Sequence, residues 1–212
     1  MSRVPSDGAL VAEVAEVIVA NRAHLSDIDG RIGDGDHGVN MAKGFGRAAE
    51  RIVGRGLALD AALSELSEVL LTEIGGSMGP LYGMMFEGMA GAVAGRADID
   101  APAFGAMLRA GLSELEAVGG ASVGDKTMLD TLVPAVTAYE DALAGGADFA
   151  AALAAMASAA TDGRDATVDM VARVGRASRL GERSRGVADA GATSCCLILT
   201  TLADGLGRRL AA

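Results

Sequence analysis

Aromatic residues and cysteine are scarce in this sequence. Of its 212 residues 3% are aromatic, tryptophan is absent, and no set of alternating segments is rich in valine, isoleucine and aromatic residues. A sheet fold therefore has little support, because β-strands favour those residue types. The two cysteines, Cys195 and Cys196, are adjacent. This spacing argues against a disulfide framework or a metal site and predicts two small side chains on a buried helix.

Positive charge and long apolar runs are also limited. Lysine and arginine number 18 against 28 aspartate and glutamate residues, and the net charge of −10 disfavours nucleic acid or an anionic membrane surface as a partner. The apolar run around residues 195–201 is shorter than the ~20 residues that span a bilayer. The N-terminal residues lack a basic stretch followed by an apolar one. We therefore expect a cytoplasmic protein without nucleic-acid or membrane partners.

What the sequence does contain is helical periodicity. Hydrophobic residues make up 50% of the chain, enough for a buried core, and the length favours one domain over residues 1–212. Apolar residues recur at steps of three and four positions. This spacing predicts helices over residues 6–25, 38–54, 60–74, 80–94, 100–118, 127–143, 148–174 (with Gly163 as a candidate break) and 189–210. The expected fold is all-α, with about eight helices.

Glycine is unusually frequent between the expected helices. Many of the 30 glycines lie in four segments, residues 33–38, 75–83, 119–124 and 181–191. Glycine permits positive φ angles and lets a ligand approach backbone amide groups closely. Four such segments suggest that they surround one shared opening of a binding site, which we call the mouth. Each segment on its own is also compatible with a tight turn.

The most informative segment is the acidic loop of residues 29–40. Asp29, Asp34 and Asp36 lie close together in the sequence, and a single glycine separates the last two, so that both side chains can turn to one point. Carboxylate oxygens suit a hard divalent cation such as magnesium, through which an acidic protein can hold phosphate. An EF-hand is excluded because Phe45 stands where a loop that begins at Asp34 requires an acidic residue. The alternative is a solvated turn with helix-capping aspartates.

Two glycine segments lead into expected helices. Residues 75–80 precede the helix opened by Pro80, where unpaired amides and the Ser77 hydroxyl can hold an anion. Residues 119–127 nearly reproduce a phosphate-binding P-loop. That motif is excluded because Asp125 interrupts it and a helix precedes it where a strand is required. Lys126 can still meet a phosphate there or simply begin a helix.

The remaining segment, residues 175–193, concentrates Arg176, Arg179, Arg183 and Arg185. Guanidinium groups donate in pairs to phosphate oxygens, so a cluster near carboxylates and metal is electrostatically reasonable. An exposed basic turn with surface ion pairs is the alternative. No serine or cysteine nucleophile stands in a recognisable elbow, which leaves a hydrolase triad without support.

Together these segments resemble the L subunit of bacterial dihydroxyacetone kinases and the C-terminal domain of single-chain versions. The matching stretches are residues 29–45, 75–83, 124–134 and 175–194, in family order. The resemblance implies a barrel of eight antiparallel helices, with ADP or ATP held at one end through two magnesium ions. It also implies a phosphotransferase that acts on an alcohol group.

Carried over residue by residue, the resemblance implies that Asp29, Asp34 and Asp36 bind magnesium. The residues that it implies at the nucleotide are His37, Gly38, Val39, Asn40, Ser77, Met78, Gly119, Met128, Arg176, Asp189, Ala190 and Gly191. The chain departs from the family pattern at two of these positions. Met78 stands where the family commonly has serine, and Ala190 replaces a frequent proline.

The resemblance also implies partners. In the family a histidine of a separate K subunit holds dihydroxyacetone as a covalent hemiaminal, so this chain is expected to be incomplete alone. A phosphocarrier protein of the sugar phosphotransferase system and a second copy of the chain are further candidate partners. The sequence leaves open whether ATP is exchanged or bound ADP is rephosphorylated in place. It also leaves open another ketose or carrier substrate, and a metal-stabilised helical binding module without phosphoryl chemistry.

Overall fold

A computed structural model of the protein describes residues 2–212, and this part of the chain is almost entirely helical. It contains nine α-helices and two short strands. The prediction of an all-α fold is confirmed. The elements are β1 (Arg3–Pro5), α1 (Ala9–Ala20), α2 (Arg22–Ile32), α3 (His37–Ile52), α4 (Leu59–Glu73), α5 (Met78–Ala92), β2 (Asp98–Asp100), α6 (Ala101–Val118), α7 (Leu129–Ala144), α8 (Phe149–Ala166) and α9 (Ala190–Ala211).

Eight of these helices form a closed antiparallel ring. α1 packs on α3, each helix from α3 to α9 packs on the next, and α9 returns to α1, while α2 lies outside against α3 and α9. The starts of α3, α5, α7 and α9 share one end of the ring. At the other end β1 pairs with β2, and the Gly8 amide donates to the Leu57 carbonyl over 2.8 Å. The barrel of eight helices implied by the resemblance is therefore present, with α2 added to it.

Apolar side chains fill the interior of the ring. Phe45 meets Phe86 edge-on with ring centroids 5.8 Å apart, and Tyr139 donates its buried hydroxyl to the Ala101 carbonyl over 2.8 Å. Cys195 and Cys196 are free and buried, as expected. Burial raises the pKa of both thiols. They are therefore packing residues rather than nucleophiles.

The first expected helix is in fact two, because Asn21 interrupts it. Its backbone, at φ −92° and ψ 8°, leaves the helical region, and its side-chain amide donates to the Val17 carbonyl over 2.9 Å. The apolar period continues across this break through Leu25 and Ile32, so periodicity alone predicts one helix. The consequence for the site is that α2 carries Asp29 in its last turn.

The helix expected over residues 148–174 ends earlier. α8 ends at Ala166 and is followed only by the 3-10 turn Thr167–Asp169. The Thr167 hydroxyl donates to the Arg164 carbonyl over 2.6 Å and accepts from the Asp189 amide over 3.0 Å. Such local side-chain bonds compete with the helix and end it. Gly163 does not break α8.

One helix in residues 2–212, α9, is long and apolar enough to cross a membrane, with a mean hydropathy of 1.2. Two thirds of its apolar window, 67%, is buried inside the protein. The helix packs against α8 and α1 as part of the ring. Its composition is thus explained by its place in the core.

Candidate functional site

A cavity of about 550 Å³ opens at the end of the ring where α3, α5, α7 and α9 begin. Each of the four glycine-rich segments contributes to its wall, so the prediction of one shared mouth is confirmed. The glycines from these segments that line it are Gly33, Gly75, Gly76, Gly119, Gly120 and Gly191. Their missing side chains bring backbone amide groups to the surface of the cavity.

Four helix N-termini converge on this cavity. His37 of α3, Met78 of α5, Leu129 of α7 and Ala190 of α9 are the first residues of their helices, and all four line it. The first amide groups of a helix lack intrahelical acceptors, and the helix dipole is positive at this end. A chain of net charge −10 therefore creates a local site that favours an anion.

Beside these helix starts lies a cluster of three carboxylates. Asp29 comes from the last turn of α2, and Asp34 and Asp36 come from the loop that follows. One carboxylate oxygen from each lies within 4.8 Å of the others. Gly35, at φ +78°, permits the turn between the two loop aspartates. The His37 amide donates to Asp29 Oδ2 over 3.2 Å and fixes that side chain. This all-oxygen donor set fits magnesium.

Arg176 is the arginine that reaches the carboxylate cluster. Its guanidinium pairs with Asp34 and lies 3.8 Å from Asp36. Arg185 instead pairs with Glu182 over 3.1 Å, away from the cavity. Of the four arginines predicted as a phosphate-binding cluster, Arg176 is the one that lines the cavity within the described chain.

Most residues implied by the resemblance line the cavity, but Gly38 and Val39 do not. Gly38 faces α2, where a β-carbon would lie 2.6 Å from the Ser26 amide nitrogen. The Val39 side chain is 43% exposed on the outside of the barrel. The implied residues that do line the cavity are Asp29, Asp34, Asp36, His37, Asn40, Ser77, Met78, Gly119, Met128, Arg176, Asp189, Ala190 and Gly191.

The two departures from the family pattern have different settings. Met78 is largely buried where it lines the cavity. The neighbouring Ser77 hydroxyl makes no capping bond and remains available to a ligand. Ala190 is the first residue of α9 and follows Asp189, whose ψ of 135° is extended. Proline is well tolerated at such a position, so alanine and proline allow the same loop.

Tyr82 and Ser194, which no motif in the sequence singles out, form a polar chain behind His37. His37 Nε2 lies 2.9 Å from Ser194 Oγ, which lies 2.7 Å from the Tyr82 hydroxyl. Burial lowers the pKa of His37, while the charge of Asp29 opposes this shift. The two hydroxyls hold the His37 imidazole in place at the start of α3. Both residues occur in the matched segments, but no spacing pattern links them to His37.

Asp189 closes the cavity wall at the start of α9. Its carboxylate caps the helix by accepting from the Ala192 amide over 2.7 Å. Burial raises the pKa of Asp189 to about 6, against the opposing effects of that hydrogen bond and of Lys126. The charges of Asp130 and Asp29 raise it further. The ionised Asp189 carboxylate therefore lowers the stability of the folded protein at neutral pH.

Replacing Asp189 with asparagine is expected to stabilise the protein at neutral pH. Folding raises the pKa of Asp189, so the protonated form is favoured by folding. The stability that the protonated Asp189 carboxyl contributes is fully present below about pH 4 and is lost as the pH rises through about 6. Asparagine keeps the cap without the charge. Because the carboxylate partly faces water, we expect a gain of about 1 kcal/mol in unfolding free energy at pH 7.5 and little gain at pH 4.

Urea unfolding of wild type and Asp189→Asn at the two pH values checks this expectation. Asp148→Asn is the matched control, because Asp148 caps α8 by accepting from the Ala151 amide over 2.8 Å but lies exposed. The control should change stability by less than about 0.5 kcal/mol at either pH. An equal gain for Asp189→Asn at both pH values would contradict the assigned cause.

One end of this closed helical barrel combines a carboxylate cluster with converging helix starts. A protein with such an end can hold an anion together with a divalent cation. The model of the DAK2 domain family matches residues 31–204 of the chain. The chain belongs to this family, and the resemblance to the L subunit of dihydroxyacetone kinases is confirmed.

Two relatives illustrate the range of the family. The "PEP-dependent dihydroxyacetone kinase, ADP-binding subunit DhaL" of Escherichia coli (strain K12) is 35% identical over 189 residues, which cover 89% of this chain and 90% of that protein. The "D-erythrulose kinase" of Mycolicibacterium smegmatis is 34% identical over 194 residues. That match covers 90% of this chain but only 33% of the longer kinase.

A solved structure shares the fold. The crystal structure of the dihydroxyacetone kinase from C. freundii in complex with AMP-PNP and Mg2+ superimposes with a TM-score of 0.68 at 25% identity. The similarity covers 93% of this chain and 33% of the kinase. This chain therefore spans about a third of that kinase.

Proposed function

We propose that the chain is the magnesium–nucleotide-binding subunit of a dihydroxyacetone (glycerone) kinase, and that residues 1–212 act as one nucleotide-binding domain. The observation that carries the proposal is the carboxylate cluster at a cavity on which four helix N-termini converge. Carboxylates alone would repel a polyphosphate, and helix starts alone would bind any small anion. The combination suits ADP or ATP bound together with magnesium.

Each part of the cavity has a distinct task in this proposal. Asp29, Asp34 and Asp36 would hold up to two magnesium ions, which when bound offset negative charge on the transferring phosphoryl group. The amide groups at the helix starts would hold the phosphates, and Arg176 would donate to phosphate oxygens. Apolar side chains would pack against the nucleotide base. Apolar side chains of this kind that line the cavity include Ile32, Leu81, Leu115, Met128 and Leu129.

The substrate would be held by a partner. His37 is the histidine that lines the cavity within residues 2–212, and its Nε2 is engaged with Ser194. It is therefore poorly placed to form a covalent adduct with a ketone. We expect a dihydroxyacetone-binding K subunit to present the substrate hydroxyl at the mouth. Because the E. coli relative is named as PEP-dependent, a phosphocarrier of the phosphotransferase system is the first donor to test.

Calorimetry and reconstitution test the proposal. The pure protein should bind ADP with magnesium present and lose that affinity when EDTA removes the metal. Mixed with a K subunit and dihydroxyacetone, it should support formation of dihydroxyacetone phosphate from ATP or from a phosphorylated phosphocarrier. A metal-stabilised binding module without phosphoryl chemistry would show no ADP binding under any metal condition, and that result would overturn the proposal.

A kinase for another ketose is the second candidate. It is favoured by the 34% identity to a protein named as a D-erythrulose kinase. The barrel would serve both substrates equally, because substrate choice would lie in the partner. Identification of the subunit that co-purifies with the chain, followed by assays with dihydroxyacetone and erythrulose side by side, separates the two.

A further inference from the structure

Lys126 is a lysine in the wall of the cavity, and its setting there is unusual. Its side chain is buried, with 2% of the residue exposed. Its backbone has a φ of +64°, and it is the one non-glycine residue with positive φ in the described chain. A long side chain in this conformation persists only where surrounding contacts determine it.

The contacts that hold Lys126 are three backbone carbonyls. Its ammonium donates to Ser184 O over 2.5 Å, to Val187 O over 2.7 Å and to Met170 O over 3.2 Å. An ammonium has three N–H groups, so all of its donors are used. It has none left for a phosphate.

All three carbonyls belong to one segment, residues 170–187, which we call the arginine segment. It contains Arg173, Arg176, Arg179, Arg183 and Arg185. Ala172 and Ser184 are its buried residues, so apolar packing contributes little to its position. The Lys126 ammonium ties its two ends together and to the start of α7.

The pKa of Lys126 is lowered, and charges of both signs act on its ammonium. Burial lowers the pKa of Lys126, the charge of Asp189 raises it and the charge of Arg185 lowers it. The partners within hydrogen-bonding distance are neutral carbonyls. The ammonium therefore acts through its geometry as well as its charge.

The geometry points to Lys126 as a positioning residue that holds the arginine segment over the cavity and so keeps Arg176 against Asp34 and Asp36. Lys126 does not touch the ligand in this assignment. The inference deepens the proposed function and rests on it, because the task given to Arg176 is phosphate binding. A direct phosphate contact by Lys126 is the competing assignment, and the two differ in whether loss of the ammonium releases the segment.

The central test compares Lys126→Asn with Lys43→Met. Asparagine tolerates positive φ, so this change removes the ammonium with little added backbone strain. Lys43 is an exposed lysine on α3 and serves as the control. We expect trypsin to cleave native Lys126→Asn within residues 173–185 at least about tenfold faster than wild type. ADP affinity with magnesium should fall about tenfold, because Arg176 is no longer held. Lys43→Met should change neither quantity.

Mass spectrometry of the early fragments locates the cuts. Unchanged cleavage in Lys126→Asn would overturn the assignment, whether or not ADP affinity falls. A fall in affinity without faster cleavage would indicate the direct phosphate contact. If wild type binds no ADP, the proposed function fails, yet the cleavage rates still decide whether Lys126 holds the segment.

Two further measurements keep the inference testable if Lys126→Asn does not fold. Lys43 and Lys126 are the lysines of the chain. Protein labelled with 15N-lysine should show one slowly exchanging ammonium signal, from Lys126, and its absence would overturn the assignment. Ser184→Ala removes a buried hydroxyl that donates to Gly181 O over 2.7 Å and accepts from the Ala172 amide over 2.9 Å. It should loosen the same segment, and wild-type cleavage there would count against the inference.

Discussion

Asp34→Ala and Asp36→Ala are each expected to weaken ADP binding in the presence of magnesium by more than about 100-fold. The reason is that both carboxylates face one point with Asp29, with oxygens within 4.8 Å of one another. Loss of a residue that only supports a metal ligand already costs about 10–100-fold in metal affinity, so loss of a direct ligand should cost at least the upper value. Without metal, the phosphates would face the remaining carboxylates directly.

Isothermal calorimetry with ADP measures this loss, and circular dichroism checks the fold. The helical signal should persist, because Asp34 and Asp36 lie in an exposed loop and their removal relieves repulsion within the cluster. Asp27→Ala is the matched control, since Asp27 is an exposed aspartate of α2 outside the cluster. Wild-type ADP affinity in the loop variants would remove the magnesium assignment.

Gly38→Ala is expected to lower the free energy of unfolding by about 2–3 kcal/mol. A methyl group at this position would meet the Arg22 carbonyl and would lie 2.6 Å from both the amide nitrogen and the hydroxyl oxygen of Ser26. Since the obstacles include backbone atoms of α2, they cannot move without displacing that helix. The resemblance implies that Gly38 contacts the nucleotide, but its setting indicates that it permits the close approach of α2 and α3.

Gly46→Ala provides the comparison within the same helix. A β-carbon there meets Val19 at 3.7 Å, an ordinary packing distance. Alanine should therefore raise stability by about 0.5–1 kcal/mol through its better helix propensity. Urea unfolding measures both variants. If Gly38→Ala kept wild-type stability but bound ADP poorly, the contact implied by the resemblance would be the better description of Gly38.

The helices could largely be predicted from the sequence because their apolar faces repeat with a helical period. α6 follows Asp100, which caps it by accepting from the Ala103 amide over 2.9 Å, and its predicted bounds match the observed ones closely. The break at Asn21 and the early end of α8 at Ala166 could not be seen in this way. Both depend on side-chain bonds to the backbone that leave the apolar period unchanged.

The candidate site was predictable where chemistry is concentrated in a short stretch, as in the acidic loop. The residues that support the site from inside the barrel could not be predicted from the sequence. Tyr82 and Ser194 lie on separate helices and meet only in the folded barrel. For Lys126 the sequence left phosphate binding and a helix start open, whereas the structure uses all of its donors on a distant segment. Such contacts between remote positions carry no local spacing signal.

Because α9 closes the ring against α1, the two ends of the described chain lie close together in space. Arg209, near the end of α9, lies 3.3 Å from Asp7 and 2.7 Å from Glu13 of α1. Both ends of the described chain therefore lie at the end of the barrel that is remote from the cavity. A purification tag or a tether to a neighbouring domain, at either extremity, would leave the nucleotide entrance unobstructed. The same arrangement suits a chain whose sequence matches one third of a longer kinase, as it does for the M. smegmatis relative.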